Sequence, residues 1–332
     1  MCMQTELCKQ ERYGVRMAKD MLLAIGEALI DFIPDKTACS FDEVTGFTPC
    51  IGGAPANVCG AFTKLGGRSR MITQLGDDPF GHKIVNELAG YGIDTSCVRL
   101  TKEANTALAF VSLGADGDRT FSFYRKPSAD MLMSDEQVEK AWFDECYALH
   151  FCSVSLGEFP MRDAHERAIT LARENGAIIS FDPNLRFPLW ERKEDLKAAV
   201  DCFLPACDVV KISDEELEFI TGKTKIEDAL PELFAQGIRL VIYTCGSAGA
   251  YAFTEGAKAF SEAGKVKAVD TTGAGDGFIG SFLWKLQQKG ITEQELTKLT
   301  DADLKECLDF SNAFCAISVQ GHGAIQSYPS AV

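Results

Sequence analysis

Asp270-Thr271-Thr272-Gly273-Ala274-Gly275-Asp276-Gly277-Phe278 places small residues and a carboxylate where a helix begins. Beyond it Phe278, Ile279, Phe282, Leu283 and Leu286 recur at helical spacing until Gly290 supplies a stop. The glycines therefore sit at a helix N-terminus. There the first amides lack intrahelical acceptors and the macrodipole favours negative charge, so a backbone without side chains can close around a phosphate oxygen. Asp276 stands beside that anion site and suits a base that takes the proton of a neutral hydroxyl attacking phosphorus. The helix dipole is expected to keep it ionised. Asp is also a good helix N-cap, so this stretch alone leaves a capping role open.

Two other phosphate motifs fail on context. Gly275-Asp276-Gly277-Phe278-Ile279-Gly280 satisfies the dinucleotide pattern, but it lies late in the chain and puts an acid where a pyrophosphate would sit. Gly222-Lys223-Thr224 looks like the end of a P-loop, yet Leu217 occupies the earlier glycine position.

Further candidates precede the helix. The run from Met21 to Ile33 reads as a buried strand that delivers Glu27 and Asp31 near its exit, where open α/β sheets bind ligands. Gly52-Gly53-Ala54-Pro55-Ala56-Asn57 allows close backbone approach, and Asn57 offers both a donor and an acceptor to a polyol. Residues 106–125 read as a hairpin around an Asp-Gly turn, able to cover a sugar with Phe123 or Tyr124 stacking and Arg125 bonding.

These groups need a frame. Strands over 147–154, 177–182, 209–212 and 240–244 alternate with helices over 161–175 and 196–203, which predicts a mostly parallel sheet with helices on both faces. Polar clusters follow three of those strands: Asp182-Pro183-Asn184-Leu185-Arg186, Ser213-Asp214-Glu215-Glu216 and Thr244-Cys245-Gly246-Ser247. Singly each is an ordinary loop or cap. Together they describe one crevice, in which Glu216 can hold Mg²⁺ through water.

Composition narrows the partners. Lys plus Arg at 33 against Asp plus Glu at 48 gives a net charge of −15 over 332 residues, a surface that repels nucleic acid and anionic membranes. The 13 cysteines form no C-x-x-C pair and there are only four histidines, so zinc spacing is missing and reduced thiols in a cytoplasmic protein are expected. Residues 1–20 carry Glu6, Glu11 and Asp20 with no apolar run and read as an extension, neither signal peptide nor membrane span.

From Met21 onward the sequence resembles the ribokinase-like (phosphofructokinase-B) family of carbohydrate kinases. The resemblance rests on Gly52-Gly53-Ala-Pro-Ala-Asn57 with Leu75-Gly76-Asp77-Asp78-Pro-Phe80-Gly81, and on the Asp270–Phe278 stretch. Within the family, Phe123-Tyr124-Arg125-Lys-Pro-Ser-Ala-Asp130 and Asp182-Pro-Asn-Leu-Arg186 look most like fructokinases. The resemblance implies a three-layer αβα sandwich over 21–332 with a β lid from about 33–51 and 106–125, and Mg-ATP-dependent phosphorylation of D-fructose. It implies Asp276 as base, with the amides of Gly273, Ala274, Gly275 and Asp276 as the anion hole. Asp31, Gly52, Gly53, Asn57 and Arg186, with the aromatic hairpin, match sugar-binding positions. Ser213, Thr244, Gly246 and Asn312 match the nucleotide pocket. Asp270, Thr272, Ser318, Gly323 and Ser327 match positions that bind a monovalent cation such as K⁺. One departure is Ser213-Asp-Glu-Glu216, which keeps the glutamate of the family's Asn-x-x-Glu motif and loses its asparagine. A homodimer through the lid is expected, because its apolar outer face and open edge need cover. A 2-keto-3-deoxygluconate kinase and a catalytically silent sugar-binding regulator are the rival readings.

Overall fold

The computed structural model describes residues 19–36, 39, 41–113 and 119–332. The expected extension, apart from Lys19 and Asp20, and the Asp-Gly turn of the hairpin lie outside them. The chain runs through β1 (Met21–Ile25), β2 (Leu29–Pro34), β3 (Phe47–Gly52), α1 (Ala54–Lys64), β4 (Arg68–Gly76), α2 (Pro79–Gly90), β5 (Val98–Thr101), β6 (Leu108–Leu113), β7 (Arg119–Tyr124) and β8 (Cys146–Cys152). It continues through α3 (Met161–Glu174), β9 (Ile178–Asp182), α4 (Lys193–Phe203), β10 (Val209–Ser213), α5 (Leu217–Thr221), α6 (Ile226–Ala235), β11 (Leu240–Thr244), β12 (Ala250–Phe253), β13 (Lys258–Ser261), α7 (Ala274–Gln288) and α8 (Asp301–Ser318).

Nine strands form one sheet in the order β13-β12-β11-β10-β9-β8-β1-β4-β5, parallel except where β12 and β13 join antiparallel. Its inner strands β1, β8 and β9 are buried on both faces, and alternation assigns each side chain to a helical layer. Leu23, Leu149, Ile179, Phe181, Val210 and Ile212 pack on one side with α3 and α4, through Ala164, Ala168, Leu196 and Val200. Leu22, Ala148, Ile178, Val209 and Ile242 pack on the other with Phe278, Phe282 and Leu283 of α7 and Leu304 and Leu308 of α8. This is a three-layer αβα sandwich, as the resemblance implied. Each fully buried Leu or Phe contributes roughly 1.5–3 kcal/mol.

The second sheet, β3-β2-β6-β7, is the small lid sheet. It begins earlier than expected, because the run from Met21 is two strands in two sheets rather than one strand. Gly26, at φ 146°, turns the chain between them, and a Cβ there would stand 2.7 Å from Pro55 Cγ. Asp31 therefore lies on a lid strand, not at the exit of the central sheet. Asp78 ties the lid to the body. Its carboxylate caps α2 at the amides of Phe80 and Gly81 and also accepts the Thr106 amide at 2.8 Å, just before β6.

Candidate active site

The three polar clusters fall where expected, since Asp182, Ser213 and Thr244 are the last residues of the adjacent strands β9, β10 and β11. The N-terminus of α7 lies over the same edge. Gly273 is its N-cap at φ 71°, a conformation that side chains rarely adopt, and a Cβ there would lie 2.6 Å from the Tyr328 hydroxyl. Tyr328 Oη donates to the Gly273 carbonyl at 2.6 Å and so fixes the turn. The Ala274 amide bends back to Thr271 O at 3.1 Å. Among the described residues no acceptor takes the amides of Gly275 and Asp276, so these two face the cleft as donors.

Asp276 is buried in the first turn of α7, and its Oδ2 accepts the Asn57 side-chain amide at 2.8 Å. The contact exists because α1 and α7 cross closely: a Cβ on Gly280 would meet Ala61 Cβ at 2.8 Å and Val58 O at 2.9 Å. The dinucleotide-like glycine spacing thus serves helix packing. Burial, with the nearby Asp182 charge, pushes the Asp276 carboxyl up to about 6, against the lowering effects of Asn57, Arg186 and Lys211. The helix dipole does not hold it low, as the sequence suggested, because desolvation is the larger effect.

On the lid side, Asp31 pairs across to Cys50 on β3, and Gly52 follows two residues later on the same face. A Cβ on Gly52 would stand 2.0 Å from Asp31 Oδ2, so only glycine leaves room for that carboxylate. Gly53, at φ 108°, lets the chain pass the Glu27 carbonyl into α1. Glu27 Oε1 accepts the Ala54 amide at 3.2 Å and its Oε2 accepts Ser155 Oγ at 3.3 Å; burial pushes its carboxyl up to about 7, with the Arg125 charge opposing.

The hairpin assignments divide. Phe123 lies opposite Ala109, itself opposite Asp31, and so shares the face that carries the acid. Tyr124 alternates to the other face, is 66% exposed and meets Phe110 edge-on. Of the two alternatives, Phe123 is the one on the face of Asp31. Arg125 is buried and committed internally: it forms an ion pair with Asp130 and donates to Val154 O at 3.1 Å and Ser155 Oγ at 3.0 Å. That corrects its reading as a ligand-bonding group. Arg186 is exposed beside the site, where its charge reaches Asp276.

A cleft of about 400 Å³ opens on the far side of the α7 N-terminus, lined by Ser213, Thr244, Gly246, Gly275 and Asn312 among others. Asn312 Nδ2 donates to Ser261 O at 2.9 Å, pinning α8 to the last strand. Glu216 joins two strand exits, with Oε1 accepting the Leu185 amide at 2.8 Å and Oε2 accepting Ser213 N and Oγ at 3.0 and 2.8 Å. Outside this cleft the cation candidates converge. Asp270 accepts from Thr272 and from the Gly323 amide, while Ser318 and Ser327 hydroxyls lie 3.0 Å apart and Ser327 donates to Gly323 O.

Three features escaped the sequence reading. Lys211 Nζ, buried in β10, bonds Asp182 Oδ2 at 2.7 Å. Its signal was a lone charge inside an apolar strand. Asp182 Oδ1 and Asn57 Oδ1 are buried with no partner among the described residues, two acceptors beside Asp276. The Tyr328 contact links residues 55 apart and had no local signal.

Residues 19–331 match the pfkB family carbohydrate kinase model. The chain is 42% identical over 312 residues to fructokinase-2 of Solanum habrochaites, covering 94% of each. Its structure is similar to that of a Xylella fastidiosa fructokinase with bound ATP, at TM-score 0.84 and 32% identity over 94% of this chain and 95% of that one. It is also similar to a fructokinase double mutant from Vibrio cholerae O395 with fructose, ADP and potassium bound, at TM-score 0.81 and 31% identity over 94% and 96%. The buried carboxylate beside unpaired helix amides, over nearly the whole length of such relatives, places the chain in the pfkB family of carbohydrate kinases.

Proposed function

We propose that the chain transfers the γ-phosphoryl group of Mg-ATP to the 6-hydroxyl of D-fructose, with Asp276 as the base. The observation that carries this reading is the place of Asp276: buried at the start of α7, bonded to Asn57 of α1, and next to Gly275, which lines the cleft of Thr244 and Gly246. A base with a pKa near 6 is ionised at neutral pH and can still accept a proton as the hydroxyl attacks. The Gly275 and Asp276 amides then meet charge developing on the phosphoryl oxygens. Asp31 and Asn57 offer acceptors for sugar hydroxyls, and Phe123, on the same lid face as Asp31, offers an apolar wall. Ser213 and Asn312 complete the nucleotide side.

Glu216, whose carboxylate accepts from Ser213 of the cleft wall, would hold Mg²⁺ through water, and the ion would offset phosphate charge. Asp270, Thr272, Ser318, Gly323 and Ser327 bring together carboxylate, hydroxyl and carbonyl oxygens suited to a hard monovalent cation such as K⁺. The lid supports a homodimer: Phe32, Phe41, Phe47, Phe110 and Tyr124 form an aromatic cluster, Phe32 reaching Phe80 of α2 while Phe41 and Tyr124 stay exposed. A monomeric mass by light scattering at micromolar concentration would contradict that. Every cysteine among the described residues is a free thiol and no described helix is long and apolar enough to cross a membrane, which supports a cytoplasmic setting.

Fructose is favoured over 2-keto-3-deoxygluconate because the carboxylate of the latter needs free arginines. Arg125 is neutralised by Asp130, leaving Arg186 alone. Retention of Asp276 argues against a silent sugar-binding regulator. The test is the initial rate of ADP release from Mg-ATP with D-fructose, 2-keto-3-deoxygluconate, D-ribose or no sugar. A rate largely confined to fructose is expected, and activity with the keto acid alone would overturn the assignment.

A further inference from the structure

We propose that Lys211 is a catalytic residue, whose ammonium, held by Asp182, contacts the transferring phosphoryl group at the N-terminus of α7. Lys211 alternates with Val210 and Ile212, which face the α3 and α4 layer, so it points with Val209 towards α7. Its ammonium arrives under the anion site: a Cβ built on Gly275 would lie 3.4 Å from Nζ. It lines the same cleft as Thr244 and Gly246. Among the described residues Asp182 Oδ2 is its only acceptor, at 2.7 Å, which leaves two N–H donors of a buried ammonium for a ligand.

A stabilising role explains this pair poorly. Buried ion pairs often contribute no more than apolar residues of the same volume, because desolvation offsets their attraction. A pair built for stability would also satisfy both carboxylate oxygens, yet Asp182 Oδ1 has no partner among the described residues. The surroundings are negative instead. Asp182, Glu216 and Asp276 all act on Lys211 and, against the effect of burial, hold it firmly protonated. An incoming triphosphate adds further negative charge at this point, and a fixed cation there offsets the repulsion from the acids the site requires.

In the transfer, the sugar oxygen bonds to the γ-phosphorus, the bond to the bridging oxygen of ADP breaks, and the hydroxyl proton passes to Asp276. Lys211 keeps its proton throughout and meets charge on the phosphoryl oxygens and on departing ADP. The assignment rests on the sugar-kinase reading above, whose failure would appear as an inactive wild-type enzyme.

The test uses Lys211→Met and the charge-balanced double variant Asp182→Asn/Lys211→Met, which leaves no buried carboxylate unpaired should the single variant fail to fold. We expect the double variant to fold and to bind ADP and sugar much as the wild type does, while kcat falls at least about 100-fold, the scale of losing one preorganised charge-stabilising donor. Turnover near the wild-type rate would overturn the proposal. So would a double variant that cannot fold, or whose ADP and sugar affinities fall in step with its rate, since either would make the pair a structural element.

Discussion

Asn57 donates its side-chain amide to Asp276 Oδ2 at 2.8 Å, joining the first turn of α1 to the first turn of α7. The bond lowers the Asp276 pKa against the larger effect of burial. It holds the carboxylate in place and keeps it ionised at neutral pH.

Asn57→Ala removes that support. A hydrogen bond to a charged group contributes about 1.5–3 kcal/mol, or roughly one to two pH units. In the wild type kcat/KM should fall as pH drops through about 6, because the base works only when deprotonated. In the variant the same acid limb should move towards neutrality. A limb left at its wild-type position would contradict the coupling.

Asp276→Asn should make the protein more stable while disabling it. Burial raises this carboxyl from 3.8 to about 6, so its ionisation costs folding free energy. The cost is absent below the unfolded value, grows between the two, and is complete above about 6, where it amounts to about 3 kcal/mol by linkage. Asn mimics the neutral acid and can still accept from Asn57. Thermal melts should therefore show the variant ahead of the wild type at pH 7.5 and close to it at pH 4; equal stability at pH 7.5 would refute the burial argument.

Gly52→Ala places a methyl where Asp31 Oδ2 now sits, 2.0 Å from the added carbon. The lid acid must move. The KM for sugar should rise by about tenfold or more, the scale of losing one charged hydrogen bond, with the KM for ATP unchanged. Equal effects on both substrates would mean that Asp31 does not face the sugar.

Tyr328→Phe leaves the Gly273 carbonyl without its 2.6 Å donor. An unsatisfied buried acceptor costs about 1–3 kcal/mol. A lower melting temperature and a reduced kcat are expected; a kcat loss with no loss of stability would assign Tyr328 a direct chemical role instead.

Much of this site was legible because its parts are local. Asp182, Ser213 and Thr244 end apolar runs, and the helix after Gly273 announces itself by spacing, so the crevice could be drawn before any coordinates. What escaped depends on partners that sequence does not rank. Arg125 read as free although its partner Asp130 stands close by in the chain, in the short helical turn Ala129–Leu132, because the local pattern does not rank that ion pair above a ligand. Phe123 and Tyr124 stood as alternatives until strand pairing put Phe123 on the face of Asp31. The break at Gly26 hid within a continuous apolar run, and so Asp31 was put on the wrong sheet. The pKa of Asp276 reflects a balance between helix amides and desolvation, and burial depth is a tertiary quantity.

The most direct test of the central claim is kcat of Asp276→Ala, measured with saturating D-fructose and Mg-ATP alongside calorimetric ATP binding. A positioned base contributes roughly 10²–10⁴-fold, so turnover should fall at least ~10²-fold while ATP affinity is kept. Near-normal turnover would contradict Asp276 as the base and return the carboxylate to a capping role.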